Sequence, residues 1–165
     1  MKKFVVMAFC FCAVIVSAVE ILADVPDDRY FYALGMKESG NNPAPPVGDN
    51  GRAHGIYQIH PEYVADVNRH FGKHYRAEDC DSDPDLSREI VSLYFEIYAT
   101  EKHLGHKPTA HDYSELHHAG PYGPFKDGAI DKYGHVPKDN DRREKIRRLQ
   151  ENAVEYAEDL DQYLN

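Results

Sequence analysis

One glutamate, Glu38 in the stretch KESG at residues 37–40, has a position that suggests chemistry. It follows Leu34 by four residues and Gly35 by three, so it shares a helical face with predicted core residues at the last turn of a helix. Burial raises the pKa of a carboxyl, and the partial negative charge of a helix C-terminus acts in the same direction. A carboxyl that stays protonated near neutral pH suits general-acid catalysis, above all glycosidic bond cleavage. The alternative is a glutamate exposed at a frayed helix end.

A second carboxylate and a pair of histidines follow Glu38. Glycosidases pair the acid with a carboxylate or a positioned water that acts on the oxocarbenium-like carbon. Asp49, in the loop that follows Glu38, lies in Asp-Asn-Gly, which is a good turn sequence on its own. His117 and His118 end a later predicted helix, where such a pair can face the solvent or bind adventitious metal.

The elements that must position these residues are mostly helices. Caps and apolar spacing predict helices that begin at Asp27 or Asp28 and stop at Gly40, and then cover about 61–72, 84–105, 109–120 and 140–164. Residues 41–55 are predicted to be a loop, 56–59 a short strand, and 122–138 turn-rich. The predicted fold class is mainly α (α+β), with a small β element at residues 53–60.

The N-terminus has the parts of a secretory signal peptide. Two lysines precede an uncharged apolar run over residues 4–19, and Val-Ser-Ala at 16–18 is a small-residue cleavage site. We therefore expect a signal peptide over residues 1–18, with a cut as late as residue 23 as an option. The protein would then be secreted or periplasmic, without stable membrane insertion after cleavage. An uncleaved membrane anchor is the alternative.

The rest of the chain is expected to form one domain, because 165 residues with 42% hydrophobic content suit a single core. We expect a catalytic domain over residues 24–138, a C-terminal amphipathic helix over 139–165 packed on it, and a monomer. Cys80 is the one cysteine after the signal peptide, so no intramolecular disulfide is expected. It is either a buried small hydrophobe, or an exposed cysteine that serves as a reactive thiol or forms an intermolecular bridge.

Charge and motifs exclude several classes of function. The formal net charge is −9, and −11 without the two signal lysines, which disfavours nucleic acid as a partner. The sequence has no P-loop, Rossmann glycine run or Gly-x-Ser-x-Gly elbow, so we expect no nucleotide and no cofactor. His70 and His74 are four residues apart, but no ligand set of established spacing accompanies them, and we expect no metal site. A histidine-rich metal-binding protein is kept as an alternative.

Two motifs together resemble the lysozyme-like superfamily. ESG followed by GDNGRAHGIYQIHP is similar to the helix-terminal Glu-Ser, Gly-rich loop and Gln-containing strand of goose-type lysozymes, invertebrate-type lysozymes and soluble lytic transglycosylases. The later ELHHAGPYG is similar to the His-Asn-Gly-Gly-Pro segment of invertebrate-type lysozymes and to the Tyr-Asn-Ala-Gly segment of transglycosylases. The resemblance covers roughly residues 28–123. It implies a lysozyme-like domain with the β element beside the substrate cleft.

The resemblance also implies roles for individual residues. Glu38 matches the catalytic acid of all three branches, and Asp49 matches a loop aspartate that positions the attacking water. Gln58 matches the glutamine that faces the sugar, and Gly55 the glycine that lets the backbone approach it. The implied substrate-binding residues are Ser39, Gly55, Tyr57, Gln58, His60, His117 and His118.

The sequence departs from the family pattern at several of these positions. His60 stands where goose-type enzymes have an acidic residue, which puts a two-aspartate water site in doubt. Ala53 stands near the nucleophilic aspartate of chicken-type lysozymes, so a covalent intermediate of that kind is not expected. His118 replaces the asparagine of both related motifs, whereas His117 matches the invertebrate-type histidine.

The resemblance predicts hydrolysis of the β-1,4 bond between N-acetylmuramic acid and N-acetylglucosamine in peptidoglycan, with Glu38 as the acid and Asp49 as its partner. Without an effective Asp49, attack by the 6-hydroxyl of the substrate would make the protein a lytic transglycosylase. A protein that binds cell wall or chitin and has lost turnover is the alternative from another class.

Overall fold

The structure, a computed structural model, describes residues 26–121 and 140–164. The predicted signal peptide, residues 1–18 or up to 23, and the turn-rich stretch predicted at 122–138 lie outside these ranges. Among the described residues, every helix is too short or too polar to cross a bilayer.

Helices make up most of the described chain, which confirms the prediction of a mainly α fold. They are α1 (Asp28–Ser39), α2 (Pro61–Phe71), α3 (Pro84–Tyr98), α4 (Glu101–Leu104), α5 (Ala110–Ala119) and α6 (Asn140–Leu164), with a 3-10 helix at Ala77–Ser82 that the sequence analysis missed. The side chains of Asp27, Asp83 and Thr109 cap α1, α3 and α5 by accepting hydrogen bonds from backbone N–H groups three residues later. Each such cap stabilises its helix by about 1 kcal/mol.

One predicted helix is interrupted. The sequence analysis predicted a continuous helix over 84–105, but Ala99 leaves the helical conformation, with φ −82° and ψ 63°. Thr100 then adopts an extended conformation, and its side chain accepts a hydrogen bond from the backbone N–H of His103. Apolar residues keep their helical spacing across the break, so the sequence pattern did not reveal that Thr100 caps a new helix.

The predicted β element is reduced to two isolated antiparallel bridges, which pair Gly48 with Ala53 and His54 with Ile59. The strand predicted at 56–59 is wrong, because this stretch is a turn. Gly55 and Gln58 both have left-handed backbones, with φ of 69° and 49°, and an extended strand does not contain such residues. The second bridge closes the turn, and the Tyr57 ring within it packs against Phe31 of α1.

The core of the domain is rich in aromatic side chains. Tyr30 of α1, Phe95 of α3 and Tyr113 of α5 meet edge to face, with ring centroids 4.9–6.0 Å apart. Each such pair contributes about 0.5–1.5 kcal/mol beyond the area that it buries. The Cys80 thiol is also fully buried, and this burial raises its pKa to about 11, so it packs as a small hydrophobe.

Helix α6 lies against α5 and α1. Among the α6 residues whose burial is described, the buried ones are spaced three and four residues apart and are Ala153, Tyr156, Ala157 and Leu160. Tyr156 reaches Glu38 near the end of α1, and the carbonyl of Leu164 accepts a hydrogen bond from Arg29 near its start. The two helices are therefore antiparallel, and the middle of α6 covers the helix end that carries Glu38.

Candidate active site

Glu38 occupies the last turn of α1, where the sequence predicted it. The helix stops at Gly40, whose φ of 66° is left-handed and whose N–H reaches the carbonyls of Gly35 and Met36. The Glu38 side chain is 18% exposed, so the carboxyl is largely withdrawn from water yet still reachable. The alternative of a freely exposed glutamate at a frayed end does not describe this geometry.

The Glu38 carboxyl has one direct hydrogen-bond donor among the described side chains. The phenol of Tyr156 donates to Oε1, and the Nζ atom of the neighbouring Lys37 lies 5.3 Å from the centre of the Tyr156 ring. Burial raises the pKa of Glu38 to about 7, while the Tyr156 hydrogen bond and the positive charge of Lys37 lower it. Burial dominates, so near neutral pH the carboxyl exists in both protonation states, as a general acid requires.

His117 of α5 lies beside Glu38 as a neutral imidazole. Its Nε2 atom donates a 3.0 Å hydrogen bond to the carbonyl oxygen of Tyr57 and lies 3.8 Å from Glu38 Oε1. Burial lowers the pKa of His117 to about 4, so there is no ion pair with Glu38 at neutral pH. The proton on Nε2 therefore fixes α5 to the 55–58 turn, and both lie against the acid.

Asp49 and His60 form a second, more exposed pair. Asp49 begins the tight turn between Gly48 and Ala53 with a φ of 42°, and its Oδ2 atom lies 3.4 Å from His60 Nε2. Their side chains are 49% and 39% exposed, so both can meet a polar ligand. The sequence predicted both residues as functional but not that they face one another.

The 55–58 turn packs tightly against the 3-10 helix and α3. A Cβ atom on Gly55 would lie 2.6 Å from the Cys80 carbonyl oxygen and 2.7 Å from Ser87 Oγ. The Gly55 N–H donates to the carboxylate of Asp81 at 3.1 Å, and His54 Nδ1 lies 3.1 Å from both oxygens of the same carboxylate. Position 55 therefore needs a glycine because any Cβ there would clash with the 3-10 helix and α3. The resemblance had suggested a different reason, a close approach of the backbone to the sugar.

The other predicted substrate contacts are placed as follows. Gln58 Nε2 donates to the Gly55 carbonyl at 3.0 Å, and the Ser39 hydroxyl donates to the Gly35 carbonyl at 3.2 Å. The Tyr57 ring is buried against Phe31, with the centroids 5.7 Å apart, and its carbonyl is the group that receives His117.

His118 stacks on the ring of Tyr156, with the centroids 4.5 Å apart and the ring planes 15° from parallel. Tyr156 itself is the site residue that sequence reasoning missed. Its place in the apolar stripe of α6 identified it as core, and its ring is indeed buried. Its hydroxyl reaches Glu38 over 118 positions of sequence, a contact that helical spacing does not reveal. The one available signal was the residue type, because a buried tyrosine usually finds a hydrogen-bond partner for its hydroxyl.

The arrangement contains no candidate metal centre in the part of the chain that the structure describes. No group of three or more His, Cys, Asp or Glu side chains converges there. The chemistry available at the site is therefore that of a protonated carboxyl, a neutral imidazole next to it, and a second carboxylate on the adjoining loop.

Comparison with known protein families gives a match. The Destabilase family model matches residues 30–138, a segment that includes α2–α5, nearly all of α1 and every predicted site residue. No curated protein and no solved structure matches the chain. Helix α6, with Tyr156, begins after the matched segment.

Proposed function

Since the chain belongs to the Destabilase family, a family of lysozyme-like proteins of the invertebrate type, we propose that it is a secreted glycosidase that cleaves peptidoglycan. The bond cut is the β-1,4 linkage between N-acetylmuramic acid and N-acetylglucosamine. The observation that carries the proposal is the Glu38 carboxyl, which is 18% exposed and has a pKa raised to about 7. The family alone supports a glycosidase-type enzyme; the substrate and the role of Glu38 are our inference.

In the proposed reaction Glu38 donates its proton to the leaving glycosidic oxygen. With a pKa of about 7, roughly nine-tenths of the enzyme carries this proton at pH 6. Once the proton has left, the Tyr156 phenol and the Lys37 ammonium both stabilise the carboxylate that remains. His117 stays neutral and does not compete for the proton.

Asp49 supplies the second function. Its carboxylate orients a water molecule or stabilises the cationic sugar, and His60 at 3.4 Å limits the directions in which that carboxylate can point. Attack by water gives a reducing muropeptide. Attack by the 6-hydroxyl of the substrate would instead give a 1,6-anhydro product and make the enzyme a lytic transglycosylase.

The test is mass spectrometry of the soluble products after purified peptidoglycan is incubated with the protein. We expect reducing muropeptides from the unchanged protein and none from Glu38→Gln, which keeps the size of the side chain but has no proton to donate. Anhydro products that vanish in the variant would support Glu38 as the acid and reject hydrolysis.

A binding assay separates the enzyme from a wall-binding protein on the same fold. A non-catalytic binder would sediment with peptidoglycan and release no product, and Glu38→Gln would leave its binding unchanged. Chitin oligomers incubated in parallel test the substrate class. Their cleavage in place of peptidoglycan would reject the proposed substrate but keep the glycosidase.

A further inference from the structure

We infer that Tyr156 of α6 is a positioning residue, which holds the Glu38 carboxyl in place and sets the pH range over which Glu38 can donate its proton. The inference rests on the proposed function in one respect only, namely that Glu38 is the general acid. The hydrogen bond itself is a property of the described structure and can be measured without turnover.

The geometry leaves the Tyr156 ring little freedom. The residue is 8% exposed, one ring contact is the stacked imidazole of His118, and another is the Lys37 ammonium 5.3 Å from the ring centre. Lys37 is in turn fixed to α6 by a 2.5 Å ion pair with Asp159. A phenol held in this way presents its O–H to Glu38 Oε1 in a fixed direction.

The donor comes from outside the part of the chain that defines the family. The family match ends at residue 138 and α6 begins at Asn140, so membership of the family does not by itself supply Tyr156. The acid and its phenol donor belong to two segments that only tertiary packing brings together. This argues that α6 contributes to the chemistry as well as to the stability of the domain.

The described titratable groups that face Glu38 from α1 and α5 do not titrate where Glu38 does. On α5, burial lowers the pKa of His117 to about 4 and also lowers the pKa of His118, so both imidazoles are neutral near pH 7. On α1, burial raises the pKa of Tyr30, so its phenol stays protonated, and Lys37 is paired with the Asp159 carboxylate. Among these described groups, the change of charge near neutral pH is therefore that of Glu38; His60, whose charge acts on His117, lies beyond them beside Asp49.

The sign of the effect follows from the donor. A phenol O–H stabilises a carboxylate more than a carboxylic acid, so the hydrogen bond lowers the pKa of Glu38 and opposes the effect of burial. Tyr156→Phe removes the donor but keeps the ring. Loss of one hydrogen bond to a charged group raises the Glu38 midpoint by about one pH unit.

The experiment is a carbon NMR titration of the full protein with labelled glutamate side chains, in which Glu38→Gln identifies the Glu38 resonance. We expect a midpoint near 7 in the unchanged protein and about one unit higher in Tyr156→Phe. Tyr163→Phe is the matched control, because it removes a phenol from the 43% exposed Tyr163 on the same helix and should not move the midpoint. An equal midpoint in the unchanged protein and Tyr156→Phe would overturn the inference.

The pH profile of product release supplies the functional reading. At pH 8 the protonated fraction of Glu38 should rise from about one-tenth to about one-half in Tyr156→Phe, so activity at pH 8 relative to pH 6 should rise about fivefold. A midpoint that moves in a protein without any glycosidase activity would reject the proposed function and leave the role of Tyr156 toward Glu38 intact. An active variant whose profile does not move would reject the role of Tyr156 and leave the glycosidase intact.

A third measurement is made on the unchanged protein, so it does not depend on whether a variant folds. In the unchanged protein, the Cζ resonance of Tyr156 should titrate with the same midpoint as the Glu38 carboxyl, because the phenol senses the charge that it is bonded to. A Tyr156 resonance that stays constant while Glu38 titrates would also overturn the inference.

Discussion

Replacing Gly55 with alanine should destabilise the protein through a clash beneath the site, not only through backbone strain. The new methyl would lie 2.6 Å from the Cys80 carbonyl oxygen, 2.7 Å from Cys80 Cβ and 2.7 Å from Ser87 Oγ. Two of these three neighbours are backbone or Cβ atoms and cannot rotate away. The 55–58 turn must therefore lift off the 3-10 helix and α3.

The magnitude has two parts, and a second glycine separates them. A left-handed backbone costs a residue with a Cβ about 1–2 kcal/mol, and overpacking of this kind costs about 1–3 kcal/mol more. Gly72 has a φ of 64°, close to the 69° of Gly55, but a Cβ there would meet no atom within 4 Å. Gly72→Ala should therefore show the backbone cost alone, and Gly55→Ala should exceed it by about 1–3 kcal/mol.

Urea unfolding of both variants measures the free energy of unfolding, and thermal unfolding should show a Tm lower by about 2–4 °C for each kcal/mol lost. A lifted turn also moves the Tyr57 carbonyl that holds His117, so Gly55→Ala should lose activity at temperatures where it is still folded. Equal losses of stability in Gly55→Ala and Gly72→Ala would refute the clash and with it the close packing of the turn.

Three further predictions concern the charged groups around the site. Glu38→Gln should be more stable than the unchanged protein by about 3 kcal/mol in denaturation at pH 8. The reason is that the folded pKa of Glu38, about 7, exceeds the ordinary value of 4.5, so the stability that protonated Glu38 contributes below pH 4.5 is lost as the pH rises through 7. An equal stability of the two proteins at pH 8 would contradict the raised pKa. Asp49→Asn should slow release of reducing muropeptides by about tenfold or more and raise any share of anhydro product, whereas an unchanged rate would exclude Asp49 from the water site. Asp81→Ala leaves the Gly55 N–H and the His54 ring without their acceptor and should cost about 1–3 kcal/mol in urea unfolding. The exposed Glu155→Ala in the middle of α6 is a control that should stay near zero.

Local signals in the sequence predicted most of the helices, and long-range contacts explain what it did not predict. The caps at Asp27 and Thr109 are short-range features that a sequence displays directly. The prediction of a strand at 56–59 was wrong because it followed the β preference of the side chains, whereas the turn holds the backbone of Gln58 in the left-handed conformation. Glu38 was found from its place on a helical face, whereas its donor Tyr156 was hidden 118 positions away.

The candidate site was predicted as a set of residues but not as a geometry. The sequence placed Asp49 and His60 on one segment. The 3.4 Å distance between Asp49 Oδ2 and His60 Nε2, however, depends on the tight turn that begins at Gly48. Likewise, a histidine at position 117 was expected near the substrate, but its pKa of about 4 depends on the burial of this α5 residue against Tyr63 of α2 and the 55–58 turn. Burial of this kind is set by packing of the whole domain.

The pKa values of Glu38 and its neighbour His117 are shifted in opposite directions, and this affects how folding exchanges protons with the solvent. In the unfolded chain at pH 5.5, His117 with its ordinary pKa of 6.5 carries a proton and Glu38 with its ordinary 4.5 does not. In the folded chain the occupancies are reversed, with pKa values of about 4 for His117 and about 7 for Glu38. Folding thus transfers one proton from base to acid without net uptake or release at these two groups. Between about pH 4.5 and 6.5 the contributions of these two groups to the slope of stability against pH largely cancel. Holding Glu38 protonated in mildly acidic surroundings therefore adds little pH dependence to the stability of the protein, because His117 offsets it.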